Sequence, residues 1–226
     1  MFVLGIDTAT STGSTALARP GEVLARAGLD ERGWHARDLL ARIDAMLAGA
    51  DVRPDQLSGI AVTVGPGSFT GVRIGMATAK GLAYSLDVGI AGLSTLEALA
   101  RAVLAAGDPP ERLCVAMAAG RGEVYAALFH VEDREPTPEG AERSLRPADL
   151  VPDLPQGTPV AGTGAAAVVL AARGVGRDLS EVATPAQLAG SVALWGCRAI
   201  RPGDSYRPGS LRPSYVRPSD AERAPR

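Results

Sequence analysis

The spacing of apolar residues changes period along this chain, and the changes delimit its elements. Phe2-Val3-Leu4-Gly5-Ile6-Asp7 is an apolar run ending on a carboxylate, the pattern of a buried strand. A Ser/Thr/Gly turn follows from Thr8 to Ser14. Thr15 to Ala18 and Val23 to Ala27 predict two further strands, joined by the hairpin turn Arg19-Pro20-Gly21-Glu22. The period then lengthens. Leu39, Leu40, Ile43, Met46 and Leu47 fall at helical spacing and predict a helix over Trp34 to Gly49. Pro54 to Leu57 reads as a helical turn, Ile60 to Val64 as a strand, Met76 to Leu86 as an Ala-rich helix and Val88 to Gly92 as another strand. Ser94-Thr95-Leu96-Glu97 has the capping-box pattern and predicts a helix to about Ala106.

The resulting order, three strands and then alternating helices and strands, is that of an α/β fold. An antiparallel meander forms one edge of a mixed sheet, and helices make the crossovers, as in one half of a ribonuclease-H-like or actin-like architecture. Asp108-Pro109-Pro110 marks a boundary. Beyond it, Leu113 to Met117 and Val124 to His130 predict a hairpin, residues 132 to 160 read as mostly irregular, and Val160 to Gly162 predicts a short strand. Gly164 to Arg173 predicts an Ala-rich helix. Thr184-Pro185-Ala186-Gln187 predicts a capped helix start running to about Ile200. The expected division is an N-terminal lobe over 1–107, a smaller lobe over 108–204, and a Pro- and Arg-rich tail over 205–226 that returns to the first lobe.

The most informative motif is Gly65-Pro66-Gly67-Ser68-Phe69-Thr70-Gly71-Val72-Arg73-Ile74-Gly75, set between the strand at Ile60 and the following helix. A glycine-rich turn at a helix start can present backbone N–H groups to an anion, with Arg73 and Lys80 as the nearest cations. It can equally be a tight corner in which glycines permit close packing and Ser68 or Thr70 caps the helix. It lacks the Lys-Ser/Thr ending of a Walker loop, and the corner reading is favoured. Asp7 and Thr8 at the end of the first strand have two readings as well. They are a vestigial nucleotide site with a carboxylate for Mg²⁺, or a turn cap in which Asp7 accepts from the backbone at Ala9 or Thr10. The cap is favoured, since no second acidic motif completes a nucleotide site.

Composition narrows the function classes. The chain has 226 residues, 46% hydrophobic and 21% charged, with a formal net charge of -2. That balance argues against gripping nucleic acid through global charge. Nearly all the positive charge is arginine, and Lys80 is the only lysine. Cys114 and Cys197 lack CxxC spacing, and His35 and His130 are the only imidazoles, so no zinc motif is expected. Glu123 and Tyr125 lie two apart on a predicted strand and share a face. No basic n-region opens the sequence and no apolar run reaches membrane-spanning length, so a cytoplasmic protein with no membrane partner is expected.

Four pieces together, Gly5-Ile6-Asp7-Thr8-Ala9-Thr10, Gly65 to Gly75, Gly122-Glu123-Val124-Tyr125 and Pro213-Ser214-Tyr215-Val216-Arg217, resemble the TsaB (YeaZ) family. The resemblance runs over the whole chain, with the long glycine motif its most specific part. It implies a two-lobed actin-like (ASKHA) fold, mixed sheets flanked by helices, in a subunit that does not itself catalyse. It implies pairing with a TsaD-type catalytic subunit for threonylcarbamoyladenosine modification of tRNA beside the anticodon, with a TsaE-type ATPase joining. ATP and metal then belong to the partner subunits, tRNA is met through the complex, and a homodimer is an option when the chain is alone. His35 matches a position where family members often carry histidine. The helices at Trp34–Gly49 and Val72–Leu86 become the expected partner surface, through His35, Leu39, Ile43, Met46, Phe69, Val72, Met76, Ala77, Lys80 and Ala83. One departure is Ala118-Ala119-Gly120, where many relatives carry Asp-Ala-Arg. The alternatives are a stand-alone actin-like ATPase or phosphotransferase using Asp7, Thr8 and the glycine turn, and a metallopeptidase-like hydrolase.

Overall fold

A computed structural model describes residues 1–28, 36–207, 209 and 211–216. The chain divides into two units, the first formed by Met1–Ala98 with Ala186–Ser214 and the second by Leu99–Pro185 with the residues from Tyr215.

The first unit is built on a five-stranded sheet. Strands β1 (Phe2–Asp7), β2 (Ser14–Arg19) and β3 (Glu22–Gly28) form the predicted antiparallel meander. Strands β4 (Leu57–Thr63) and β5 (Gly89–Leu93) continue it in parallel, giving the order β3-β2-β1-β4-β5. One face of this sheet carries Leu4, Ile6, Leu17, Ile60 and Val62. Two helices, α1 (Ala36–Gly49) and α2 (Phe69–Leu86), bury their apolar stripes there. The predicted residues Trp34 and His35 lie outside the described ones. Helix α3 (Thr95–Ala106) starts as expected, with Ser94 Oγ accepting from the amides of Leu96 and Glu97.

The opposite face is lined with small residues, and helix α6 (Ala189–Ala199) covers it. Ala16 and Ala18 meet Ala189 and Ala193. A Cβ at Gly5 would overlap Ala189 O, and one at Gly196 would stand 2.6 Å from Ala61 Cβ. Helix α6 therefore approaches closer than larger side chains would allow. It belongs to the first unit, so the return to that unit begins at Ala186 rather than at 205, and Asp108-Pro109-Pro110 lies inside the second unit. The capping box predicted at Thr184 does not form. Helix α6 starts at Ala189, whose amide donates to Ser14 Oγ at 3.1 Å, and Thr184 Oγ1 instead accepts from Gly162 N at 2.8 Å.

The second unit has the predicted hairpin, β6 (Arg112–Gly120) and β7 (Glu123–Glu132), extended by β10 (Pro159–Ala161) parallel to β6 and β11 (Ser180–Glu181) parallel to β10. The segment expected to be irregular contains β8 (Glu135–Pro138) and β9 (Arg143–Leu145), both antiparallel to β7. It also holds the short helix α4 (Pro147–Leu150). Polar and proline residues hid these elements, because β8 and β9 are short edge pieces with a single buried position between them. Helix α5 (Ala165–Gly174) packs Val168, Val169 and Ala172 into the core of this unit with Leu150 and Leu154. Both units are thus mixed sheets flanked by helices.

Candidate functional site

The glycine motif and the end of β1 meet in the first unit, and each contact between them closes space. Thr8 Oγ1 donates to Gly71 O at 2.7 Å, and Ser68 N donates to Ala9 O at 2.8 Å. A Cβ at Gly67 would overlap Ala9 O, one at Gly71 would overlap Thr8 O, and one at Gly75 would overlap Thr8 Oγ1. These three glycines let the first turns of α2 press against the loop after β1. Ser68 caps α2, its Oγ accepting from Gly71 N at 3.1 Å. Gly65 adopts a φ of 103°, and its carbonyl accepts from Thr95 N at 2.9 Å. Pro66 is buried beside it. The motif is a structural corner.

Asp7 is fully buried at the end of β1. Its Oδ1 accepts from Ala9 N at 3.0 Å and Thr63 Oγ1 at 2.8 Å, and its Oδ2 from Thr10 Oγ1 at 2.6 Å. The Thr10 amide is a further donor to this carboxyl. Four donors fill the roughly four acceptor sites a carboxylate offers. Burial raises the Asp7 carboxyl above its usual range, and the four donors oppose that rise without cancelling it. Asp7 therefore works as a turn cap joining β1 to β4. Thr95, whose amide holds Gly65, has a buried hydroxyl without a partner. Among the described residues, no three His, Cys, Asp or Glu side chains gather into a metal-ligand set.

The residues expected on a partner surface separate into two groups. Leu39, Ile43 and Met46 of α1, with Val72, Met76 and Ala83 of α2, are buried in the unit's own core. They are corrected here from partner-facing to core residues. Their helical spacing is the inward stripe that any amphipathic helix on a sheet must bury. His35 lies outside the described residues. Phe69 (45% accessible), Arg73 and Ala77 are exposed and Lys80 is half-buried, all on the outer side of α2. The Arg73 guanidinium carbon lies 3.7 Å from the Phe69 ring centroid, a cation–π contact. The structure adds Tyr84, which the sequence reading passed over, and takes Leu40 out of the predicted apolar stripe. Leu40 of α1 and Tyr84 of α2 are exposed at 45% and 75%. Tyr84 stands out of phase with the core stripe of its helix, which is the signal that would have identified it, whereas Leu40, two turns before the buried Leu47, lies at the margin of the α1 stripe, where spacing alone reads it as core.

Elsewhere, Glu123 accepts from Ser144 Oγ at 3.0 Å across the β7–β9 pair, a satisfied structural contact. Burial pushes the Cys114 thiol up to about 12 and raises that of Cys197, so neither is an activated nucleophile.

Comparison with known proteins adds to this geometry. The model of the family TsaD: tRNA N6-adenosine threonylcarbamoyltransferase matches residues 32–187. The tRNA threonylcarbamoyladenosine biosynthesis protein TsaB of Bacillus subtilis is 38% identical over 134 residues, 59% of this chain and 57% of that protein. The chain thus spans little more than half the length of the curated relative it matches. The solved structure of YeaZ from Pseudomonas aeruginosa superposes with a TM-score of 0.77 at 28% identity, covering 95% of this chain and 100% of that one. Component A of the (R)-2-hydroxyglutaryl-CoA dehydratase of Acidaminococcus fermentans shares the fold at 13% identity, with a TM-score of 0.50 and coverage of 88% and 98%. The fold is of the actin-like class. The chain belongs to the family TsaD: tRNA N6-adenosine threonylcarbamoyltransferase, and within that likeness it is similar to the TsaB and YeaZ proteins named above.

Proposed function

We propose that this chain is a non-catalytic subunit that binds and activates a TsaD-type threonylcarbamoyltransferase in the threonylcarbamoyladenosine modification of tRNA. One observation carries this reading. Three of the six exposed large hydrophobic side chains among the described residues, Leu40, Phe69 and Tyr84, lie on the outer sides of α1 and α2. Both helices bury a separate stripe in their own core, and these side chains keep much of their apolar surface open to water even where Phe69 carries Arg73 and Tyr84 meets Tyr206. Ala41, Ala45, Ala48 and Ala77, exposed on the same two helices, let a partner helix approach closely. Two helices of this kind meet two from a partner as a four-helix arrangement. Without the catalytic subunit, the same face pairs two copies of the chain.

The enclosed Asp7 supports the non-catalytic part of the proposal, since its carboxyl is committed to four internal donors. ATP and metal are bound by partner subunits, a TsaE-type ATPase joins the pair, and tRNA is met through the complex in the cytoplasm. The test is reconstitution of the modification with the other modifying proteins, tRNA, threonine, bicarbonate and ATP, with and without this chain. Modified nucleoside should form at appreciable rate only when the chain is present. An equal rate in its absence would refute the activating role, and transfer by the chain alone would refute the non-catalytic one.

A further inference from the structure

The described residues that follow α6 form no helix or strand, yet they place side chains on both faces of the first sheet. Ile200 lies over the α6 face, where a Cβ at Gly59 would stand 2.8 Å and one at Gly89 2.7 Å from its side chain. Asp204 Cβ is 2.8 Å from the same position at Gly89. Gly59 and Gly89 are register partners and so share that face. Leu211 is buried on the other face, in the core shared with α1 and α2, where a Cβ at Gly92 would overlap its tip. Gly92 pairs with Val62, a residue of that core. Ile200 and Asp204 thus lie on one face of β5 and Leu211 on the other, and Gly59, Gly89 and Gly92 leave the room these side chains occupy.

Two further contacts fix where the segment ends and what it touches on the way. Ser214 N donates to Val64 O at 2.8 Å, directly before Gly65, and a Cβ at Gly65 would stand 2.5 Å from Ser214 O. Tyr206 meets Tyr84 of α2 edge-on, with ring centroids 6.0 Å apart. The segment thus touches the glycine corner at one point and the exposed outer side of α2 at another.

We propose that residues Ile200–Ser214 form a clasp that covers the β5 edge, holds the glycine corner in place and contributes Tyr206 to the partner face of α2. The last clause rests on the partner reading above; the first two do not. Edge strands left open invite pairing with other chains, and a clasp is one way of covering them. The corner is held from its far side by Thr95 N on Gly65 O and from its near side by Ser214. Loss of the clasp releases one of these two supports.

Hydrogen exchange on the full chain alone tests the clasp, and binding to a TsaD-type subunit tests its third role. Leu211→Ala removes the buried anchor. Gly92→Ala displaces the tip of Leu211 while keeping the clasp sequence intact and serves if Leu211→Ala does not fold; its Cβ would also stand 2.5 Å from Val64 Cγ1, so in that variant the Thr95 amide is the readout. Leu211→Ala should raise exchange at the amides of Val64 and Thr95 about tenfold, Gly92→Ala at that of Thr95, and both should leave those of the β1–β2 pair unchanged. A folded variant with unchanged corner amides overturns the proposal. Tyr206→Ala should leave the corner amides protected and weaken partner binding about threefold or more. Unaltered binding by Tyr206→Ala overturns the third clause. Failure of the parent chain to bind any TsaD-type subunit strikes the partner reading alone, because the exchange result is read without a partner.

Discussion

Asp7 shows how a single side chain can be read in two ways until its neighbours are seen. An aspartate ending the first strand suits a metal site or a turn cap, and the sequence favours the cap only through the lack of a second acidic motif. Thr10, three residues on, was visible as a local donor, but Thr63 lies 56 positions away, and only the pairing of β1 with β4 brings it to Oδ1. The cap makes two quantitative predictions. Thr63→Val leaves a buried carboxyl short of one donor and should lower stability by about 1–3 kcal/mol in urea unfolding. The pH dependence has a definite sign. Because the folded-state value is raised above the ordinary 3.8, the contribution of Asp7 to stability is full below that pH and declines as pH rises through the raised value. Asp7→Asn lacks this dependence, so the stability difference between variant and parent should move in the variant's favour as pH increases from about 3.5; a flat difference would contradict the raised value. Thr95 offers the opposite case. Its buried hydroxyl has no partner, and Thr95→Val should stabilise the protein by about 1 kcal/mol in thermal or urea unfolding.

The glycine motif turns on whether a Cβ has room, and the glycines of α2 differ sharply in this respect. Gly71 and Gly75 face Thr8, whereas Gly81 in the same helix has nothing within 4 Å of its Cβ position. Gly71→Ala should therefore cost about 1–3 kcal/mol or more. Gly81→Ala should instead add about 0.5–1 kcal/mol through helix propensity. Equal effects in thermal melts would show that the corner is looser than described. Much at this scale was legible in the sequence: the meander, the strand–turn–helix around Gly65, and the helices α3 and α5 follow from period and caps. The failures have physical causes. A helical stripe announces burial but does not say against what, so Leu39, Ile43, Met46, Val72, Met76 and Ala83 read as available to a partner when the sheet already held them. The Thr184 capping box fails because Ser14 on β2 supplies the acceptor for the Ala189 amide from 175 residues away. Edge strands β8 and β9 carry too few buried positions for their period to rise above the prolines and charges around them.

The proposed association with a catalytic subunit can be separated from stability by choosing neighbours on one helix. Ala77 is exposed on the outer side of α2 and Ala83 is fully buried. Ala77→Glu should leave the melting temperature within about 2 °C of the parent while weakening the complex at least about tenfold. Ala83→Glu should unfold the first unit, because it buries a charge without a partner. A calorimetric titration paired with a melt distinguishes the two, and a complex untouched by Ala77→Glu, Leu40→Glu and Phe69→Glu alike would remove this face from consideration.

Helix α6 also carries a consequence for how the protein is made. Among the described residues, the small-residue face of the first sheet, with Gly5, Ala16, Ala18 and Ala61, is covered by α6, and its β4–β5 end by Ile200 and Asp204 just beyond. On a ribosome adding about 5–20 residues per second, β1 to β5 emerge first and wait, one side bare, while the contiguous stretch from Leu99 to Pro185 is translated. Nascent chains arrested before residue 189 should thus show a protease-resistant second unit beside a first unit that is still cleaved, and resistance of the first should appear only once α6 has cleared the exit tunnel.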